Sequence, residues 1–171
     1  MKTQERAKPV SSLFYTEDSN FFEYSKNHFD ISYSCSNQLV LLPIDIFNND
    51  ALSSLETVTK YMKENLNYRF RDIALLLNRS QKTVWDAYDG SRKKMDLRFI
   101  LDKDIRFLVP SFVFRDRSVS FLEALTEYLK DNLNLRYFQI ASLLNRDPRT
   151  IWTVYYRAKD KRKNHKKNGL Q

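Results

Sequence analysis

Three observations predict a mainly α-helical chain made of two tandem three-helix modules, each preceded by a possible short β-strand. The first is an internal repeat. A shift of 67 residues lays Pro43 to Tyr88 on Pro110 to Tyr155 without a gap, and about 21 of the 46 paired positions are identical. The second is a helix-start signal at the same place in each copy, and the third is a set of apolar residues at helical spacing behind each signal. With 171 residues, the chain accommodates two small modules more readily than one large core.

Residues 1–38 form a leader with Phe14, Tyr15, Phe21, Phe22 and Tyr24, aromatic enough to dock and polar enough to be partly disordered. Each copy then opens on an apolar run closed by a repeated Pro and Phe, Leu39 to Pro43 and on to Phe47, and Phe107 to Pro110 and on to Phe114. These runs read as short extended segments. Ser53 with Glu56, and Ser120 with Glu123, have the spacing at which a hydroxyl and a carboxylate satisfy each other's backbone N–H groups, so a first helix starts there twice. Leu55, Val58, Tyr61 and Met62, matched by Leu122, Leu125, Tyr128 and Leu129, give that helix an apolar face, and Asn65 and Asn132 are placed to end it.

Asn67 and Asn134 are candidate N-caps of a second helix that turns Ile73, Leu76 and Leu77, or Ile140, Leu143 and Leu144, inward. Ala74 and Ala141 leave room for a third helix to cross closely. The turns Asn78-Arg79-Ser80 and Asn145-Arg146-Asp147 follow, and asparagine tolerates the left-handed backbone that tight turns need. Ser80 and Asp147 are natural N-caps for the third helix, and Pro148 suits a first helical position because its missing N–H would have gone unpaired. The domain reading is a leader over 1–38, a module over 39–94, a packed connector over 95–105, a second module over 106–158 and a basic tail over 159–171. The apolar stretch Met95 to Leu101 is expected to pack, as a strand beside Phe29 to Tyr33, so that the modules form a pseudo-symmetric body.

The net charge is +8 and uneven: residues 110–171 hold 13 basic and 6 acidic residues, while residues 1–42 hold 4 and 5. Such a bias suits a polyanion, because neutralising phosphates releases condensed counterions; it also suits a solubilising tail. One cysteine, Cys35, makes no intrachain disulfide, and two histidines, His28 and His165, offer no metal-ligand spacing. No metal and no cofactor is expected. No apolar run reaches the length of a membrane span, and the polar start lacks the stretch of a signal peptide, so the expectation is a soluble, unprocessed, intracellular protein. Neither a Gly-rich phosphate loop nor a nucleophile arrangement occurs, so an enzyme is not expected.

The pattern Ile-Ala-x-Leu-Leu-Asn-Arg followed by Thr-Val-Trp or Thr-Ile-Trp, at Ile73 to Trp85 and Ile140 to Trp152, resembles the helix-turn-helix signature. It is similar to the trihelical modules of the promoter-reading domain of sigma factors and of many small regulators. The resemblance covers about 50 residues per copy, not residues 1–38, and departs from the pattern in having asparagine where many relatives have glycine. It implies a double-stranded DNA-binding protein, a transcriptional regulator or nucleoid-associated protein, located in the cytoplasm at the nucleoid, or in the nucleus of a eukaryote. The third helix of each module would then enter the major groove.

Carried over by position, the groove-facing residues are Gln81, Lys82, Trp85 and Asp86 in the first copy, and Pro148, Arg149, Trp152, Thr153 and Tyr156 in the second. Arg149 can bond guanine bidentately or hold a phosphate. Thr83 and Thr150 either touch phosphate or cap their own helix. Arg79 and Arg146 reach DNA backbone or pair with an acid. Trp85 and Trp152 serve as stabilising flanks or as contacts. Arg157, Lys159, Lys161, Arg162 and Lys163 extend the basic character of the second copy, whereas Asp86 and Asp89 make the first acidic, so the second module is expected to dominate. The alternative is a protein-interaction adaptor, with the first module or the leader as the docking part. RNA fits less well, since its deep major groove excludes a helix. Oligomeric state stays open, because the duplication can stand in for a dimer.

Overall fold

The computed structural model describes residues 39–101 and 107–168, with side chains to His165. The leader, the expected Phe29 to Tyr33 strand, Cys35, and residues 102–106 and 169–171 lie outside the described residues. The order is β1 (Leu41–Pro43), a 3-10 helix η1 (Ile44–Phe47), α1 (Ser54–Glu64), α2 (Phe70–Leu77), α3 (Gln81–Lys94), then β2 (Leu108–Pro110), η2 (Ser111–Phe114), α4 (Phe121–Asp131), α5 (Tyr137–Leu144) and α6 (Pro148–Asn168). The fold is mainly α-helical, and the two copies carry the same elements in the same order.

The helix starts lie where the spacing puts them. Ser53 and Ser120 each accept from the backbone N–H three residues on, and Glu56 and Glu123 accept in return from the Ser53 and Ser120 N–H groups, closing both capping boxes. Asn65 and Asn132 end α1 and α4. Asn78 and Asn145 end α2 and α5 in the left-handed conformation, at φ 51° and 48°. Asparagine thus does the work glycine would do there. Ser80 caps α3 by accepting from the Thr83 N–H, and the Asp147 carboxylate accepts from the Arg149 N–H.

Asn67 and Asn134 are not N-caps. Both are left-handed, at φ 62° and 53°, inside the α1–α2 and α4–α5 turns, and the second helices start two residues later than those caps would put them, behind Arg69 and Arg136. Each of these turns is braced by a lysine that the copies share. Lys63 donates to the Tyr68 carbonyl and lies over the Phe70 ring, and Lys130 does the same with Leu135 and Tyr137.

Strands β1 and β2 pair antiparallel with Leu42 opposite Val109. Leu42 and Val109 are also equivalent residues of the repeat, being 67 apart. An antiparallel ladder has a local twofold at such an opposed pair, so here the axis of the ladder and the axis of the duplication coincide. The flanking bonds obey it: Ile44 donates to the Phe107 carbonyl at 3.0 Å, and its counterpart Ser111 donates to the Val40 carbonyl at 2.8 Å. The equivalent rings Phe47 and Phe114 meet across the axis at 6.0 Å, and Phe114 stacks on Phe121 at 4.9 Å.

The pieces beside the axis bridge the repeats. Helix η1 packs on α1 of its own repeat and on α5 of the other, and η2 packs on α4 of its own and on α2 of the other. Both repeats consequently belong to one compact unit, Ser36–Gln171, rather than to two separately cored modules. Thr57 to Met62 are all buried although only one face of α1 is apolar, because η1, α2 and α3 of its own repeat and α4 of the other cover it from several sides. Phe99 ties the connector to this body, its carbonyl accepting from Asn65 Nδ2 and its ring meeting Tyr61, while Leu97 and Ile100 are exposed. No strand forms in Met95 to Leu101.

Candidate nucleic-acid interface

Helices α3 and α6 are pinned by Val84 in one and by Ile151, Val154 and Ala158 in the other, all buried. At 3.6 residues per turn, the face opposite these anchors carries Lys82, Trp85, Asp86 and Asp89 on α3, and Arg149, Trp152, Thr153 and Tyr156 on α6. Gln81, Lys82, Thr83, Trp85, Asp86, Pro148, Arg149, Thr150, Trp152, Tyr156 and Arg157 are exposed, and Thr153 is half-buried. Among the described residues Lys82, Arg149, Arg157 and Lys163 have no ion-pair partner.

On α6 the aromatic residues form a continuous shelf. Trp152 and Tyr156 meet at 4.5 Å, Tyr156 and Tyr155 at 5.5 Å, and Tyr155 and Tyr137 at 5.8 Å. Both tryptophans stand about half exposed, at 52% for Trp85 and 50% for Trp152, so each has indole surface to offer a partner. Burial pushes the Tyr155 hydroxyl up to about 12, helped by its hydrogen bond to Asp131, and the group stays protonated and donating. On α3 the position of Tyr156 is taken by Asp89, which is paired with Lys93.

Several residues read from the sequence as polyanion contacts are engaged inside the molecule. The tail expected from residue 159 is the continuation of α6, which runs without a break to Asn168. Lys159 pairs with Glu127 and Asp131, Lys161 with Glu123, and Arg162 with Glu127 and Asp116. Burial lowers the Lys159 pKa, yet the two carboxylates outweigh it and hold the ammonium above its usual value. These cations bolt α6 to α4 and to Asp116, because four acids of the second copy, Asp116, Glu123, Glu127 and Asp131, lie along the groove they face. Of the tail residues singled out, Lys163 alone stays exposed and unpaired among the described residues.

The turn arginines also differ. Arg79 donates to the Leu77, Asn78 and Asp116 carbonyls and lies 5.2 Å over the Phe121 ring, which ties the first repeat to the second. Arg146 bonds only the Asn145 carbonyl and lines a small pocket between the repeats with Phe47, Leu52 and Leu125. Thr83 shares its hydroxyl with the Ser80 cap, and the Thr153 hydroxyl donates back to the Arg149 carbonyl. These local bonds favour the capping reading of Thr83.

Sequence reasoning passed over Arg115 and Arg117. Both are exposed and follow η2, in a segment whose carbonyls receive Asn78 Nδ2 at 3.1 Å and the Arg79 guanidinium. Arg117 is close enough to Arg79 to depress its pKa, after the larger effect of burial. The second copy therefore sets two arginines beside the start of α3, in the first copy. The signal was present in the sequence, but only the packing of η2 against α2 of the other repeat, with the bonds from Asn78 and Arg79, says which helix those arginines flank.

Among the described residues no group of His, Cys, Asp and Glu is placed to hold a metal ion, and no helix is long and apolar enough to cross a membrane. No family model, curated protein or solved structure matches the chain.

Proposed function

We propose that this protein binds double-stranded DNA without catalysing a reaction, as a transcriptional regulator or nucleoid-associated protein inside the cell, with α3 and α6 as its reading helices. The observation that carries the reading is the outward face of α6. A cation with no internal partner, Arg149, stands in the first turn of a helix that follows a tight left-handed turn, with Trp152, Thr153 and Tyr156 on the same face. That is the arrangement by which the second helix of a helix-turn-helix presents its early residues to base edges. Helix α6 dominates, because Asp86 and Asp89 on α3 oppose phosphate whereas Thr153 and Tyr156 do not.

Fluorescence anisotropy on random duplexes across a salt series tests this, with single-stranded RNA of matched length as the comparison. Steeply salt-dependent duplex binding is expected. On a duplex selected for tight binding, Arg149→Ala costs about 2 kcal/mol and Lys82→Ala less than half of that. Equal losses would remove the dominance of α6. The chain should be shortened no further than Arg162, since Lys159, Lys161 and Arg162 hold α6 in place. Half-exposed Trp85 beside Asp86 favours a second reading for the first repeat, a docking face for a basic protein segment. Absence of duplex binding would bring that reading forward.

A further inference from the structure

We infer that a single chain engages one duplex with both third helices, reading two unlike half-sites in inverted orientation. The inference rests on the DNA reading above and adds the arrangement of the target. Three independent features fix that arrangement. Equivalent residues Leu42 and Val109 oppose each other in the ladder, so α3 and α6 are related by a twofold rotation and not by translation. Two elements related by a twofold meet a duplex along strands of opposite direction, which makes the half-sites an inverted pair rather than a direct repeat.

The second feature is rigidity. The turn before α3 is bonded through Asn78 and Arg79 to Arg115 and Asp116, and Arg115 adjoins Phe114, whose ring meets Phe47 across the axis. On the other side Arg146, in the turn before α6, lines a pocket with Phe47 itself. Both third helices thus start beside the axis, on a shared core instead of on a linker. Their spacing is set by packing, and a duplex must supply its half-sites at one separation.

The third feature is charge. Helix α3 is the poorer reader by its own residues, with Asp86 and Asp89 outward, but the other repeat supplies Arg115 and Arg117 beside its first turn. The counterparts of those arginines are Asn48 and Asp50, so the start of α6 receives no such gift and relies on Arg149 and Arg157 of its own helix. Each half-interface is built differently: α6 combines base reading and charge on one helix, whereas α3 is a composite, with its phosphate-holding charge lent by the second copy. The half-sites are therefore unequal, the one under α3 contributing affinity mainly through its backbone.

The test begins with selection of duplexes from a random library by the intact chain. The half-site lost on Arg149→Ala marks the α6 side. Anisotropy is then measured on duplexes carrying this half-site and the second one, inverted or direct, with the spacing varied one base pair at a time, and stoichiometry is read by sedimentation. The expected result is one chain per duplex and an inverted arrangement preferred about tenfold or more at a single spacing, as linked contacts produce. Arg115→Ala with Arg117→Ala should abolish that preference while leaving affinity for the isolated α6 half-site and the thermal midpoint unchanged. Equal binding of both orientations, an isolated half-site bound as tightly as the pair, or one chain holding two duplexes would overturn the inference while leaving DNA binding intact. Failure of the library to enrich at all would remove the DNA reading, and this inference with it.

Discussion

Where the first repeat has Lys60, the second has Glu127, and most of the difference between the two halves of the molecule follows from that one inversion of charge. Lys60 is fully buried and pairs with Glu64 one turn along its own helix. Glu127 is equally hidden but has only Asp131 at the corresponding position, so its charge must be met from outside the helix. Lys159 and Arg162 of α6 meet it. Their counterparts in α3 are Arg92, which is exposed and lies over Tyr88, and Met95, where α3 has already ended. One ion pair is common to both repeats, Glu56 with Lys94 and Glu123 with Lys161. The third helix of the second repeat is thus bolted along its length, and that of the first is held at its end. A buried charge that cannot be answered locally recruits the next element, and here it recruits a longer helix.

The largest effect should come from breaking that recruitment. Glu127→Ala removes the buried carboxylate that Lys159 and Arg162 share, leaving them only Asp131 and Asp116, and is expected to cost about 2 to 3 kcal/mol in urea denaturation. Lys60→Met together with Glu64→Leu, which removes both charges of the buried pair of the first repeat, should change stability by less than about 1 kcal/mol. Since the repeats share a core, both variants should move a single unfolding transition. A second transition in the Glu127 variant would show that the halves fold separately.

Next in size is the turn arginine. Arg79→Ala removes three bonds to carbonyls and a cation over Phe121, and a loss of about 1 to 2 kcal/mol is expected. Arg146→Ala should cost less than half as much. If Arg79 serves DNA instead, its removal would weaken duplex binding with the melting temperature unmoved.

Thr59 and Thr126 are equivalent residues, both fully buried, and neither hydroxyl has a hydrogen-bond partner. Replacing either by valine keeps the shape and removes the unsatisfied group, so each substitution should stabilise by about 1 kcal/mol, and by the same amount. Unequal gains would mean that the repeats differ around these positions despite their shared backbone.

The smallest and most gradual effect is that of acid. Burial raises the pKa of Glu56, Asp116 and Glu123, but in each case hydrogen bonds and nearby cations outweigh it and hold the carboxyl below its usual range. A carboxyl depressed on folding adds stability that is complete above its unfolded pKa, near 4, and is lost as the pH falls through the folded value. Melting temperature should therefore stay level from about pH 6 to 5 and decline below about pH 4. Glu123→Gln and Asp116→Asn should flatten that decline more than Glu56→Gln, because two of the three groups belong to the second repeat.

Residues identical between the copies turn out to be mostly scaffold. Asn67, Asn78, Asn134 and Asn145 set left-handed turns, Lys63 and Lys130 brace them, and Ser53, Ser120, Glu56 and Glu123 start helices. The capping boxes and the turns at Asn78 and Asn145 were legible because they depend on a few adjacent residues, whereas Asn67 and Asn134 read as N-caps and the lysine braces went unread. The outward residues of α3 and α6 were legible too, since they follow from helical spacing once Val84 and Ile151 are seen to point inward. Misreading set in where local logic had a distant competitor. Lys159, Lys161 and Arg162 looked like a solvated basic tail because the acids that engage them, Asp116, Glu123, Glu127 and Asp131, lie 28 to 46 residues away.

The sequence by itself determined the duplication, the elements, their order and the caps of the first and third helices, because each element and cap rests on interactions within a turn or two of helix. Only the tertiary structure decided that β1 pairs with β2 on the axis of the repeat, that η1 and η2 each bridge the two repeats, and that Arg115 and Arg117 belong beside a helix of the other copy. Such pairings are set by which surfaces bury most apolar area and leave fewest charges unanswered, a sum over the whole body that no local pattern of residues contains.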